Sequence, residues 1–134
     1  MAKRTLCGGR VASLPLGATL MCLPEGVGVS SGIFDWRDTD GENWVTPVKN
    51  QGSCGSCWAF SAVGAAESAF LIYTNDPGMN IGLSEQHLVS DCCSAGSCGG
   101  GVPRSALEYI RDTGVPDEDC FPYTASNSGD SCDS

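Results

Sequence analysis

The residues with the clearest capacity for chemistry lie in one short stretch, in which a glycine-rich polar loop leads from Gln51 to Cys57 and then into an apolar segment. The segment is typical of a helix, so Cys57 is predicted to lie in a first helical turn, with Ser56 as the N-cap. The positive end of a helix dipole favours the thiolate, which is the nucleophilic form of a cysteine. Gln51 carries a neutral amide donor, which suits stabilisation of an oxyanion. The stretch therefore predicts acyl-transfer chemistry at a thiol.

The segment that must position Cys57 is predicted to be a buried helix over residues 57–73. Large apolar residues form one stripe, and alanines that permit close packing form another. Glu67 falls inside the buried stripe. Because it lies about 15 Å from Cys57 along a helix, it is too far away for proton transfer. We expect Glu67 to be a structural carboxylate held by hydrogen bonds.

Local signals predict the remaining elements. Residues 75–78 form a turn, residues 83–89 form a short helix capped by Ser84, and a third helix begins near Pro103 and ends before Gly114. Residues 33–37 and 44–48 are expected to be extended, with a polar turn over 38–43. Residues 91–101 form a loop rich in cysteine and glycine.

Composition limits the class of protein. The chain has 134 residues and nine cysteines, which favours a disulfide-containing protein of an oxidising compartment. An odd number leaves at least one thiol unpaired within the chain, and a nucleophilic Cys57 accounts for it. A net charge of −9 argues against nucleic-acid binding. No apolar run is long enough to predict a membrane span.

The stretch around Cys57 resembles the active-site segment of papain-like cysteine proteases, which place a Gln, a bridged Cys and then Cys-Trp in this order. Here these residues are Gln51, Cys54, Cys57 and Trp58. The resemblance extends over roughly residues 33–132. Its matching segments follow the family order: residues 35–37, 46–61, 83–92 and 98–123.

The resemblance implies an α+β papain-like fold, in which a mostly helical half and a β-rich half enclose the active-site cleft. Residues 33–134 would be the helical half, stabilised by disulfides, and its partner would be the C-terminal β-rich half of the same enzyme. The family's catalytic His and Asn are expected beyond Ser134, so the isolated chain is expected to be inactive. Residues 1–32 would be a leader, either a signal peptide or the remnant of a pro-segment.

The same resemblance assigns roles to residues near Cys57. Cys57 would be the nucleophile, and its backbone N–H and the Gln51 side chain would bind the oxyanion. The substrate would be a peptide or protein, bound by Gly55, Trp58, Gly100, Gly101, Val102 and Pro103. Val102 and Pro103 would line an apolar pocket for the second residue upstream of the cleaved bond. No cofactor and no metal are implied, and the location would be secreted or a lysosome- or vacuole-like compartment.

The family pattern also implies disulfides. It pairs Cys54 with Cys98 and Cys92 with Cys132. Cys93 and Cys120 then remain as a candidate extra pair, while Cys7 and Cys22 stay unassigned. Connectivity cannot be fixed from sequence, because eight cysteines allow 105 pairings.

Other interpretations of the same residues stay open. Cys54 and Cys57 form a Cys-x-x-Cys that could serve a thiol–disulfide oxidoreductase, although no apolar strand precedes it. The cysteines over residues 92–98 could join this pair in a zinc site. A non-catalytic, papain-like binding protein is a third alternative. His87 is the only histidine, and the resemblance places it in a structural helix rather than beside Cys57.

Overall fold

The longest element of the computed structural model, which describes residues 34–127, is helix α1, spanning Cys57–Thr74. The predicted helix is confirmed almost to the residue. It ends because Asn75 adopts a left-handed conformation with φ of 52°, and the Asn75 N–H reaches back to the carbonyl of Ile72.

Helix α1 buries a face made mainly of small side chains. Ala59 and Ala62 are fully buried, and α1 packs against helix α3, Pro103–Asp112, whose Ala106 is also fully buried. Small residues on both helices let the two backbones approach closely. The core extends around this contact and includes Trp58, Val63, Leu83, Leu88, Val89, Ile110 and Val115.

The two shorter helices begin and end at the predicted signals. Helix α2 spans Glu85–Val89, and the Ser84 hydroxyl accepts a hydrogen bond from the His87 N–H, so Ser84 is the N-cap. Helix α3 has Pro103 at its first position. Gly114 follows it with φ of 84° and donates its N–H to the Ile110 carbonyl.

A two-stranded antiparallel hairpin lies between α2 and α3. Strand β1, Gly96–Ser97, pairs with strand β2, Gly100–Gly101, so that Gly96 faces Gly101 and Ser97 faces Gly100. The sequence predicted only a loop here. The pairing is possible because glycines let both strands lie against the side chain of Trp58.

The first described residues differ from the prediction of extended segments. Among the described residues of the predicted 33–37 segment the chain turns, because the Asp38 N–H donates to the Asp35 carbonyl. Residues 44–48 belong to no strand. The predicted polar turn is present, with Asp40 and Gly41 both at positive φ between the paired Thr39 and Glu42.

Within residues 34–127, none of the helices is both long and apolar enough to cross a bilayer. The predicted leader over residues 1–32 lies outside the described residues.

Candidate active site

Cys57 is the first residue of α1, and its thiol is free and exposed. The predicted capping role of Ser56 is wrong in detail. Ser56 occupies the N-cap position, but its side chain makes no capping hydrogen bond. Its backbone carbonyl starts the helix by accepting from the N–H groups of Ala59 and Phe60, at 2.8 and 3.1 Å. The site thus combines an accessible thiol with a helix N-terminus, as nucleophilic chemistry requires.

The loop before Cys57 is fixed by a disulfide. Cys54 is bonded to Cys98, 44 residues further along the chain, as predicted. Next to this bridge, the Gly55 N–H donates to the Cys98 carbonyl at 2.9 Å. A Cβ on Gly55 would lie 2.6 Å from that carbonyl oxygen, so only glycine permits the approach. The bridge joins this loop, residues 51–57, directly to the glycine hairpin, and we call it the nucleophile loop after the predicted role of Cys57.

Gln51 is anchored within the same loop. Its Nε2 donates to the Cys54 carbonyl at 3.1 Å, and its own backbone carbonyl accepts from the Tyr123 hydroxyl at 2.8 Å. Gln51 is half-buried, and its amide is held by the loop.

Trp58 packs against the glycine hairpin and is hydrogen-bonded to it. It is only 3% exposed, and its Nε1 donates to the Ser97 carbonyl at 3.1 Å. Its ring lies against Gly96 and Gly101. Direct contact between Trp58 and a substrate does not fit this burial, so we assign Trp58 to support of the hairpin. Val102 and Pro103, by contrast, are exposed just beyond β2.

The close packing on Trp58 gives a testable prediction. A Cβ on Gly101 would lie 2.5 Å from two ring carbons of Trp58 and 2.8 Å from the Ala95 carbonyl oxygen. We expect Gly101→Ala to destabilise the protein by about 1–3 kcal/mol, the usual cost of overpacking. At Gly99 the nearest atom would be at 3.4 Å, so Gly99→Ala is the matched control, with a change within about 0.5 kcal/mol. Urea unfolding measures both, and equal stabilities would contradict the packing.

One predicted disulfide, between Cys93 and Cys120, is wrong. Cys93 has a free thiol that is 4% exposed within the core, so it does not pair with Cys120. Burial raises the pKa of the Cys93 thiol, which keeps it protonated. Cys92 and Cys120 are both disulfide-bonded. Cys132, the predicted partner of Cys92, lies outside the described residues.

His87 is buried in a structural setting. Its ring packs against Phe121 and Tyr109, with centroids 5.5 and 5.9 Å away. Burial lowers the pKa of His87, which favours the neutral ring. Within the described part of the chain, its Nδ1 has no hydrogen-bond partner. These contacts agree with the prediction that His87 is structural.

A buried ionic cluster lies beneath the segment that leads to Gln51. Glu67, with 1% of its side chain exposed, accepts hydrogen bonds from the Thr46 hydroxyl at 2.6 Å and the Leu83 N–H at 2.8 Å. Lys49 Nζ bridges Glu67 at 3.2 Å and Glu85 at 2.7 Å. The prediction that Glu67 is a structural carboxylate is confirmed. The cluster holds Lys49 in place. Because Lys49 lies just before Gln51, the cluster also holds the segment that enters the nucleophile loop.

Two carboxyls, that of Glu85 in this cluster and that of Glu118, are expected to make the stability of the fold depend on pH. Burial raises the pKa of Glu85, against the opposing influence of Lys49, and burial also raises the pKa of Glu118. Each has one oxygen, Oε2, without a hydrogen-bond partner among the described residues. A carboxyl whose pKa is raised on folding binds its proton more tightly in the folded state, so folding is favoured at low pH.

We therefore expect Glu85 and Glu118 to make stability fall as pH rises from the ordinary glutamate pKa of 4.5 through their raised pKa values. His87 contributes the opposite slope up to pH 6.5, because burial lowers its pKa and disfavours the protonated ring in the folded state. Lys49 affects the pH dependence of stability only in the alkaline range. Burial lowers its pKa, but the attraction of Glu85 and Glu67 outweighs burial and raises the pKa above 10.5. Asp35 and Asp112 have the opposite sign, because their pKa values are lowered by arginine partners, and they matter only below 3.8.

Thermal unfolding between about pH 5 and pH 8 tests this expectation. Glu118→Gln should flatten the pH dependence while keeping an acceptor for the Tyr123 N–H, which Glu118 now binds at 2.7 Å. Glu108→Gln, at an exposed position on α3, is the matched control for loss of a carboxylate. Because His87 opposes the two carboxyls below pH 6.5, the comparison between variants is decisive. If the melting temperatures of Glu118→Gln and wild type changed in parallel across this window, the expectation would be wrong.

A cleft of about 430 Å³ lies elsewhere, between residues 41–47 and 77–81. None of the predicted site residues lines it. The candidate site is therefore the open surface formed by the nucleophile loop, the start of α1 and the glycine hairpin.

Sequence reasoning missed Tyr123 as a site residue. Its hydroxyl lies 2.5 Å from the Ser56 Oγ and 2.8 Å from the Gln51 carbonyl oxygen. The only sequence signal is that Tyr123 lies in the last segment that resembles the family, residues 98–123.

Comparisons with known proteins agree with this geometry. Residues 31–134 match the family described as "Papain family cysteine protease". The chain is 46% identical to pro-cathepsin H of Mus musculus over 108 residues, which cover 78% of this chain and 31% of that protein. It is 41% identical to cathepsin K of Gallus gallus over 122 residues, covering 90% of this chain and 35% of that protein.

A solved structure supports the same assignment. The digestive procathepsin L2 proteinase from Tenebrio molitor larval midgut superposes with a TM-score of 0.63 and 44% identity, covering 71% of this chain and 29% of that one. The chain belongs to the papain family of cysteine proteases. It spans about a third of the length of the relatives it matches, and it corresponds to the helical half of the fold.

Proposed function

We propose that the whole protein is a cysteine peptidase that hydrolyses peptide bonds through the Cys57 thiolate. One observation carries the proposal. The exposed thiol of Cys57 is the first residue of α1, while the neighbouring Cys54 is locked to Cys98 and the Gln51 amide is tied to the same loop.

The proposed reaction proceeds through an acyl-enzyme. The Cys57 sulfur attacks the substrate carbonyl carbon, and the carbonyl oxygen becomes an oxyanion that accepts from the Cys57 N–H and the Gln51 Nε2. The C–N bond then breaks, and the leaving amine takes a proton from a histidine supplied by the other half of the enzyme. Water attacks the thioester, releases the acid and returns the thiol.

Substrate would lie along the glycine hairpin. Gly100 and Gly101 are exposed and carry no side chain, so an extended peptide can reach their backbone groups. Val102 is 54% exposed beside them, next to Pro103. We propose that these two residues favour apolar side chains at the second position upstream of the cleaved bond. Gly55 would border the same surface.

The β-rich half of the enzyme is the proposed partner of this half. Val48, just before Gln51, is fully exposed, and Val45 and Phe34 are also open to solvent. Apolar surface next to a catalytic loop is typical of a face that another domain covers. The disulfides favour a secreted or lysosome- or vacuole-like location.

The experiment uses the full-length protein, peptide substrates with apolar or charged residues at that second position, and a thiol-alkylating reagent followed by peptide mass mapping. We expect faster cleavage of the apolar peptides and modification at Cys57. Peptide binding without cleavage would indicate a non-catalytic binding protein. Release of two thiols together on mild reduction would indicate a redox protein, and thiols unmasked by a chelator would indicate a zinc site.

The structure already weighs against the last two alternatives. Cys54 is bonded to Cys98 rather than to Cys57, which removes the redox pair of the Cys-x-x-Cys. The same bond occupies two of the cysteines that a zinc site would need.

A further inference from the structure

Tyr123 connects the two residues that flank the predicted catalytic apparatus. Its hydroxyl donates to the backbone carbonyl of Gln51 at 2.8 Å and lies 2.5 Å from the Oγ of Ser56. Gln51 carries the proposed oxyanion donor, and Ser56 immediately precedes the nucleophile. The phenol is contributed by a segment 72 residues after Gln51 in sequence.

The direction of these hydrogen bonds follows from the number of protons. A phenol has one hydrogen, and Tyr123 gives it to the Gln51 carbonyl. Ser56 must therefore donate to Tyr123. The alternative acceptor for Ser56, the Cys54 carbonyl, is more distant at 3.4 Å. The result is a directed chain from Ser56 to Tyr123 to Gln51, in which each bond strengthens the next.

The Tyr123 ring is itself held firmly. It packs edge-to-face on Phe60 of α1 with centroids 4.9 Å apart, and the Tyr123 N–H donates to Glu118 at 2.7 Å. Ser56 is fully buried. A rigid phenol between a buried hydroxyl and a loop carbonyl fixes the distance between the two loop ends.

We propose that Tyr123 is a positioning residue for catalysis, which holds the Gln51 backbone so that the Gln51 amide meets the developing oxyanion. The inference rests on the proposed peptidase function. Tyr123 touches neither substrate nor the reacting atoms, and its effect passes through Gln51. Preorganised donors lose much of their value when displaced by a fraction of an ångström, because their contact is made in the transition state.

The test is Tyr123→Phe in the full-length enzyme, with rates normalised to the concentration of thiol titrated by an alkylating reagent. We expect kcat to fall about tenfold with KM within about twofold. Tyr73→Phe is the matched control, since this tyrosine is 60% exposed near the end of α1, and it should leave both parameters unchanged. An unchanged kcat for Tyr123→Phe would overturn the proposal.

A double-mutant cycle separates positioning from general loosening. In a Gln51→Ala background, adding Tyr123→Phe should change kcat by less than about twofold, because the donor that Tyr123 positions is already gone. If the tenfold loss persists in that background, Tyr123 does not act through Gln51 and the proposal is wrong.

A readout independent of peptidase activity distinguishes failure of this inference from failure of the proposed function. The Gly52 amide belongs to the same peptide group as the Gln51 carbonyl, so loss of the Tyr123 bond should shift the Gly52 amide resonance and that of the Gln51 side-chain amide. We expect both shifts in Tyr123→Phe and neither in Tyr73→Phe. If Tyr123→Phe shows these shifts but the wild-type protein cleaves no peptide, the proposed peptidase function is refuted. Unshifted resonances in Tyr123→Phe would refute the positioning.

Discussion

Replacing Cys57 by serine in the full-length protein is expected to abolish peptide hydrolysis, with a fall in kcat on the order of 10⁶-fold, the scale seen when a serine protease loses its nucleophile. A hydroxyl ionises far less readily than a thiol, so the attacking species is removed. The fold should persist, because Cys57 is exposed at the first position of α1 and contributes nothing to the core. Steady-state rates and far-UV circular dichroism measure the two effects.

The matched control is Cys93→Ser, which changes the other free thiol among the described residues. Cys93 is buried, and burial raises the pKa of its thiol, so it should react with neither substrate nor alkylating reagents. We expect Cys93→Ser to retain kcat and Cys57→Ser to lose alkylation. Activity that survives in Cys57→Ser, or disappears only in Cys93→Ser, would place the nucleophile elsewhere.

The second large effect is expected for Gln51→Ala. Removing one oxyanion donor costs on the order of 2.7–4 kcal/mol, which corresponds to a fall in kcat of about 10²–10³-fold. KM should change little, since the contact forms in the transition state. The measurement is kcat and KM on one peptide substrate, with the titrated thiol as the concentration of sites.

Gln51→Ala also removes the bond to the Cys54 carbonyl, so a control for loosening of the loop is needed. Asn50→Ala supplies it, because the Asn50 side chain accepts from the Gly52 N–H and holds the same loop, but it is not a proposed oxyanion donor. We expect Asn50→Ala to lower kcat by less than about tenfold. Equal losses in the two variants would show that Gln51 acts through loop structure alone.

The parts of the molecule that local chemistry determines were predictable from sequence. Helix α1 begins at Cys57 and α2 is capped by Ser84, because the signals for both lie within a few residues of each helix end. The Cys54–Cys98 bond was predicted from the resemblance to a family, since spacing alone does not specify a pairing.

The features that were missed depend on distant parts of the chain. The sequence predicts Ser56 as a capping residue, but its hydroxyl bonds to Tyr123 instead of to the first turn of α1. Cys93 looks like a disulfide cysteine, but its thiol is free and packs within the core. Trp58 looks accessible beside the nucleophile, but the glycine hairpin covers it. In each case a contact across many residues overrides the local pattern.

The position of Cys98 has a consequence for how the chain matures. During synthesis, Cys54 and Cys57 emerge together, well before Cys98, and closing a short loop costs less entropy than closing one of 44 residues. An oxidising compartment that joined Cys54 to Cys57 would block the proposed nucleophile. The Cys98 thiolate would then attack the Cys54 sulfur, form the native bond and expel the Cys57 thiolate. On that route, a single exchange step both closes the Cys54–Cys98 bridge and releases the Cys57 thiolate, the proposed nucleophile.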